Sequence, residues 1–312
     1  MTDPSPIAGP SPIVRKWYPP TNDYAFKCVF GNPQHLEVTA GFIKDFFNIE
    51  VAPKDLQILN NTSIDQAKFE HLSADGQRKF FETLRDVTIE IQPAKITIEM
   101  QVNNQRNFLK RSYFYSSRLY IENYAIDDLI KDNYETLKPV WSMNILAHTR
   151  FEQDNEPYRI FALRDEQTAA PITEWQPVRL GYFEIPKQLR FAGAEPDAAS
   201  KRRTAWAQFL KTGIAPDDAP EYIKTGAGII YRVNTDPKEA KMIDAFEKAT
   251  ADQNAREYWA RIDGKEEGIA EGIARMAENL LRNGYPVAEV AAGAGLSVAE
   301  LEELLQRQPV GT

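Results

Sequence analysis

The sequence predicts an α/β fold: a mixed β-sheet flanked by helices, followed by a helical C-terminal module. Three observations carry this. RDVTIEIQPAKITIEMQ at 85–101 alternates apolar and polar residues on two short arms, the mark of a half-buried hairpin. An aromatic and basic stretch, 105–124, has helical spacing, and VWSMNIL at 140–146 is almost continuously apolar. Hairpin, helix, strand is a crossover, which makes the third strand parallel to the second hairpin arm and the sheet mixed.

The 312 residues allow a sizeable core and two domains. Hydrophobic content of 43% and charged content of 26% are those of an ordinary globular chain. No apolar run is long enough for a membrane span and no signal peptide is evident, so a cytoplasmic protein is expected. The single cysteine, Cys28, fits that reducing compartment. His35, His71 and His148 lie far apart, which argues against a zinc site or a Ser–His–Asp arrangement. The net charge of −8 argues against general nucleic-acid affinity, so any such role needs a local basic surface.

Taken in order, residues 1–20 hold six prolines and two serines and read as an extended tail. Asn22 or Asp23 caps a short helix that ends at Gly31, and Leu36, Ala40, Ile43 and Phe47 mark an amphipathic helix over 34–47. A short strand is expected near 56–59. The hairpin follows, with Pro93 and Ala94 at its turn. The helix over 105–124 is expected to bury Phe108, Leu109, Ser112, Ser116, Leu119, Ile121 and Tyr124, with its other rings packed in the core. Strands at 158–164 and 178–185 come next, the latter closed by Pro186, then helices at 204–211 and 238–260. Glycines 264, 268 and 272 recur through a helix over 264–284. Each costs about 1 kcal/mol relative to alanine, which close helix–helix approach would justify. Val287–Ala292 and a last helix opened by a Ser297/Glu300 capping box complete a helix-turn-helix-like module. Glu300, Glu302 and Glu303 make its last helix a poor reader of DNA, and partner binding or dimerisation the better reading.

The hairpin carries the chemistry. Pairing 91 with 96 sets Asp86 opposite Gln101 and Glu99 diagonal to Asp86, all on the polar face. Two carboxylates and an amide oxygen form a candidate Mg2+ site, with the peptide oxygen of Met100 as a further ligand. The plain alternative is the polar outer face of an antiparallel sheet. Glu90 projects from the same face as a third acid or as a surface residue. Asp23 and Glu37 are candidate accessory acids, although Asp23 and Lys27 have the spacing of an ordinary helix ion pair. Arg111 and Tyr115 share a helix face from which they reach a phosphate, unless they are a solvated arginine beside a core tyrosine. Lys110, Arg118, Lys187, Arg190 and the cluster Lys201, Arg202, Arg203 are the basic residues available to a DNA backbone, or else solvated faces.

The hairpin and its Arg/Tyr-rich helix, with TNDYAFKCVFG (21–31) before them and VWSMNILAH (140–148), GYFEIPK (181–187) and TAWAQFL (204–210) after, together with the glycine-rich C-terminal module, resemble one family in this order. It is the PD-(D/E)XK nuclease superfamily, and within it the recombination-promoting nuclease and transposase group. The resemblance implies a restriction-endonuclease-like core over 21–190, which leaves a helical extension at 191–262 and the module at 263–312. It further implies a bacterial, Mg2+- or Mn2+-dependent endonuclease acting on double-stranded DNA to promote recombination, and a homo-oligomer is expected. Asp86 and Glu99 become the two metal ligands. Gln101 stands where the superfamily usually has lysine, as is common in the group, and Arg85 stands where a proline often precedes the acid. The rival expectation is a catalytically weak relative that acts by protein association through its C-terminal helices.

Overall fold

The computed structural model describes residues 16–59, 86–92, 94–123, 134, 137–172, 176–191 and 197–307, with the backbone alone at Asp86, Gln253 and Arg307. The chain divides into two compact units, Met1–Phe246 and Glu247–Thr312. No helix among the described residues is long and apolar enough to cross a membrane.

The first unit is built on a six-stranded sheet in the order β1-β2-β3-β4-β6-β5. Its strands are β1 (Gln57–Ile58), β2 (Asp86–Glu90), β3 (Lys95–Gln101), β4 (Val140–Leu146), β5 (Tyr158–Ala162) and β6 (Val178–Glu184). β3, β4 and β6 are parallel, whereas β1–β2, β2–β3 and β5–β6 are antiparallel, so the sheet is mixed as the crossover requires.

The two faces differ. Ile96, Ile98, Met143, Ile145 and Phe183 turn toward α1 (Asp23–Phe30) and α2 (Leu36–Phe47), where all are buried. An aromatic seam runs across this interface. Phe30 meets Phe42 at 5.2 Å, Phe42 meets Phe46 at 4.2 Å, and Phe46 reaches Phe183 at 4.8 Å between ring centroids. Burying each such ring contributes about 1.5–3 kcal/mol. The other face carries Glu99, Gln101, Ser142 and Asn144 and is covered by α3 (Phe108–Glu122).

Short α4 (Ile185–Arg190) follows β6 directly. Pro186, expected to close the strand, instead sits in the first turn of this helix, where its missing N–H removes nothing. α5 (Ala198–Thr212) is capped by Asp197 and begins six residues before the expected Thr204; it ends, as expected, at Gly213 in a left-handed conformation. α6 (Glu221–Thr235) lacks a helical signature in EYIKTGAGIIYRVNT, whose two glycines and β-branched residues disfavour helix. Tertiary packing dictates Gly226 but not Gly228, where a Cβ would meet nothing within 4 Å among the described residues. A Cβ on Gly226 would lie 2.9 Å from the Phe209 ring, and one on Gly41 of α2 would lie 2.4 Å from the Tyr222 ring. Residues 16–20, assigned to the tail on composition, are held in place. Trp17 Nε1 donates to Thr212 O at 2.8 Å and Tyr18 N to Asn234 Oδ1 at 2.8 Å.

The expected helices 238–260 and 264–284 are one helix, α7 (Pro237–Arg282), because no cap or breaker interrupts 261–263. Among the described residues, a Cβ on Gly264, Gly268 or Gly272 would meet nothing within 4 Å, so no neighbouring helix approaches them closely. In the second unit Ala277, Val290, Ala291 and Leu301 form a small core shared with α8 (Val287–Ala294) and α9 (Val298–Arg307). The capping box is formed: Ser297 N donates to Glu300 Oε2 at 2.8 Å, and Glu300 N to Ser297 Oγ at 3.2 Å.

Asp45 ties the helical layer together. Buried in α2, it accepts from Arg202 Nε (2.5 Å), Trp206 Nε1 (2.9 Å) and Tyr222 OH (2.8 Å), so α2, α5 and α6 converge on one carboxylate. Asp45→Ala should destabilise the first unit by about 2–4 kcal/mol, since it strands the buried Trp206 indole and leaves the part-buried Arg202 guanidinium and Tyr222 hydroxyl without their acceptor. Urea unfolding followed by tryptophan fluorescence would measure this.

Candidate metal and phosphate site

The site grows out of the β2–β3 hairpin. Ile91 N donates to Ala94 O at 2.9 Å, which closes the hairpin one residue earlier than expected. The register is therefore Asp86↔Glu99 and Ile89↔Ile96, two residues from the expected pairing of Asp86 with Gln101. A slip of two preserves the face of every side chain, whereas a slip of one would have inverted it. Asp86 and Glu99 thus become direct rather than diagonal partners. Thr88 O accepts from Leu59 N at 2.8 Å, so the even residues of β2 bond toward β1. Asp86 and Glu99 then form a non-hydrogen-bonded pair, in which Cα atoms approach to about 4.5 Å. The Asp86 side chain lies outside the described residues.

On β3 the odd residues bond toward β4, as Ala147 N does to Gln101 O at 3.0 Å. Alternation directs the Met100 carbonyl to the opposite side, toward β2. Glu99, the Met100 carbonyl and the backbone of Asp86 therefore gather at one corner of the sheet. Gln101 Nε2 donates to Glu99 Oε1 through a short contact. Arg111 of α3 brings Nη2 to 3.5 Å from Glu99 Oε1 and 3.4 Å from Gln101 Oε1. Glu99, Arg111, Tyr115 and Arg118 line a cleft of about 370 Å³ between α3 and the sheet.

Behind the cleft lies a polar cluster that the sequence reading missed. Asn144, fully buried on β4, accepts from Ser112 Oγ at 3.2 Å and donates to Gly181 O at 3.0 Å. Tyr182 OH donates to Ser112 Oγ at 3.3 Å, and burial raises the tyrosine pKa. The signal was present: Ser142 and Asn144 alternate inside an apolar strand, and Ser112 and Ser116 repeat one turn apart on the helix that meets them.

Other candidates are distributed as follows. Asp23 opens α1 and Lys27 is buried in its last turn, on a helix that packs beside β2. Glu37, in the first turn of α2, pairs with His35 at 3.4 Å. Glu90 sits four residues along β2 from Asp86 and is paired to Lys138 Nζ at 2.5 Å, so the structure does not bring it to the corner. Arg118 pairs with Glu122 at 2.6 Å, and Lys110 is exposed on α3. Arg202 and Arg203 are on the far side of the sheet. The first is bound to Asp45, and the guanidinium of the second lies 4.8 Å above the Tyr158 ring; Lys201 shares their helix. The outer face of α3 also departs from expectation. Tyr113, Phe114, Tyr115 and Ile121 are exposed, not packed, and Tyr124 lies outside the described residues.

Lys187 is structural. It is buried, lies 2.9 Å from Glu184 Oε2 and 3.5 Å from Asp154 Oδ1, and donates to Phe151 O. Arg190 donates to Pro186 O at 3.1 Å. Hydrogen bonds, chiefly from Arg159, hold the Asp154 carboxyl down at about 2.

Among the described side chains no three of His, Cys, Asp and Glu converge on one point. A cation at this corner would rely on one or two carboxylates and on neutral oxygens, a donor set that Mg2+ accepts when water and phosphate complete its shell. The residues present fit such an ion.

A family model described as PD-(D/E)XK nuclease family transposase matches residues 20–258, well over half of the chain. The mixed sheet with its flanking helices and helical C-terminal region agrees with the restriction-endonuclease-like fold of that superfamily. No curated protein and no solved structure matches the chain.

Two predictions follow the geometry. Asn144→Val should cost about 1–3 kcal/mol in urea unfolding, because it leaves the Ser112 hydroxyl without its acceptor and Gly181 O without its side-chain donor. The Asp154 carboxyl titrates lower folded than unfolded. Its stabilisation is therefore full above about pH 4 and is lost as pH falls toward about 2. Asp154→Asn should flatten the acid-unfolding curve in that window when followed by circular dichroism.

Proposed function

Because the chain belongs to the PD-(D/E)XK nuclease family of transposases, we propose that it is a Mg2+-dependent DNA endonuclease whose centre is the Asp86/Glu99 corner. The observation that carries this is the direct register of Asp86 with Glu99 beside a guanidinium-lined cleft. Asp86, Glu99 and the Met100 carbonyl would hold the ion. When bound it supplies charge neutralisation at the scissile phosphate and a more acidic water.

The chain's own residues do the rest. Arg111, already within 3.5 Å of Glu99, neutralises that carboxylate and presents its remaining N–H donors to a phosphate oxygen. Arg118, paired with Glu122, also lines the cleft. Gln101 accepts or donates a hydrogen bond to a water at the corner but brings no positive charge, so charge compensation of the kind a lysine would supply falls to Arg111. Asn144, Ser112 and Tyr182 hold the floor of the cleft and the inner face of α3 in register, which fixes where Arg111 emerges.

Supercoiled plasmid should be relaxed in Mg2+ or Mn2+. Glu99→Ala and Asp86→Ala should each lower the rate roughly a hundred-fold or more, and Arg111→Ala roughly ten- to a hundred-fold. A wild-type rate in either carboxylate variant would remove the corner from consideration. Mg2+ should raise the melting temperature of the wild type but not that of Glu99→Ala.

A further inference from the structure

The outer surface of α3 is unusual for a solvent-facing helix. Tyr113, Phe114 and Tyr115 are 57, 61 and 54% exposed. Phe114 and Tyr115 meet edge-on with centroids 5.6 Å apart. Exposed helix faces are ordinarily polar, and contiguous exposed rings mark a binding surface.

The rings are also placed in a line. Tyr115 lines the cleft together with Glu99 and Arg111. Tyr113 lines an apolar groove of about 360 Å³ on the other flank of the helix, beside Phe161 and Leu163. Phe114 lies between them, with exposed Lys110 one turn before it. The helix carries Lys110, Arg111 and Arg118 against the single acid Glu122, in a chain of net charge −8. Arg118 is paired with Glu122 and Arg111 lies against Glu99, so exposed Lys110 and the outward N–H donors of the two guanidiniums are the cationic groups beside the rings.

Rings interleaved with cations match a nucleic-acid strand whose bases are unpaired: bases stack on the rings while phosphates meet the cations. A continuous duplex hides its base faces and offers only phosphates and groove edges, which the rings cannot use. A second copy of this chain would set like charge against like charge. We propose that α3 is a stacking platform for an unpaired DNA strand, which leaves the cleft over Tyr115 and Phe114 and places a base in the apolar groove beside Tyr113. The substrate class is then DNA with a single-stranded stretch next to the cut, such as a flap, a bubble or a free strand. This deepens the endonuclease reading and rests on it for the position of the cut.

Binding is measured by fluorescence anisotropy in EDTA, so that no cleavage occurs, with a labelled single strand and the duplex of the same sequence. The strand should bind at least about ten-fold tighter than the duplex. Phe114→Ala and Tyr113→Ala should each weaken strand binding roughly ten-fold, with duplex binding and melting temperature unchanged, and Phe114→Trp should retain it. A strand carrying 2-aminopurine should be quenched by the wild type and not by Phe114→Ala. Equal affinity for strand and duplex, or alanine variants that bind the strand like the wild type, would overturn the platform. So would a wild-type dimer in sedimentation that Phe114→Ala dissolves. The platform and the catalytic reading fail separately. Strand binding with no metal-dependent cleavage of any DNA sinks the endonuclease and leaves the platform. Cleavage that ignores the loss of the rings does the reverse.

Discussion

The fold depends on one constraint: β3 is a central strand whose two faces want different neighbours. Ile96, Ile98 and Met100 must leave water, and the aromatic layer of α1 and α2 answers them. Thr97, Glu99 and Gln101 on the reverse face cannot be covered by an apolar helix without stranding polar atoms. α3 meets that face with Ser112 and Ser116, and β4 adds Ser142 and Asn144, so the buried polar groups find partners in one another. The hydrophobic face builds the scaffold. The polar face, held by the same backbone, becomes a site whose geometry the scaffold sets.

Much of this was legible in the residues. Period-2 alternation located the hairpin and assigned each side chain to its correct face, and the crossover fixed the parallel pairing of β3 with β4. Caps at Asn22 and Ser297 and the stop at Gly213 marked helix ends because each satisfies local donors or takes a left-handed turn. The exact register was not legible, since a two-residue slip leaves the face pattern unchanged and only the turn hydrogen bond decides it. Nor was α6, where Gly226 answers to close packing against Phe209 and not to helix propensity. The basic run 201–203 misled because charge density says nothing about which side of a sheet a helix covers; there Arg202 is bound to Asp45 and Arg203 to a tyrosine face.

The chain's acidity remains compatible with a polyanionic ligand because charge acts over about a Debye length, roughly 8–10 Å in physiological salt. What matters to a strand at the cleft is the local balance, where Arg111 and Arg118 offset Glu99 and Glu122 and Lys110 adds a further cation on α3, and not the net −8 carried by the whole chain.

The glycines of α7 have a thermodynamic consequence. Gly264, Gly268 and Gly272 touch nothing within reach of a Cβ, so no packing offsets their intrinsic cost of about 1 kcal/mol each. Relative to alanine the three weaken that stretch by about two powers of ten in its local opening equilibrium. The stretch begins after the junction of the two compact units at 246 and 247. A helix softened there transmits cooperativity poorly, so melting of the C-terminal unit need not propagate into the sheet. The small Ala/Val/Leu core around Ala277 and Leu301 can therefore open, exchange or be lost as its own thermodynamic unit while the Asp45 hub and the aromatic layer keep the sheet folded.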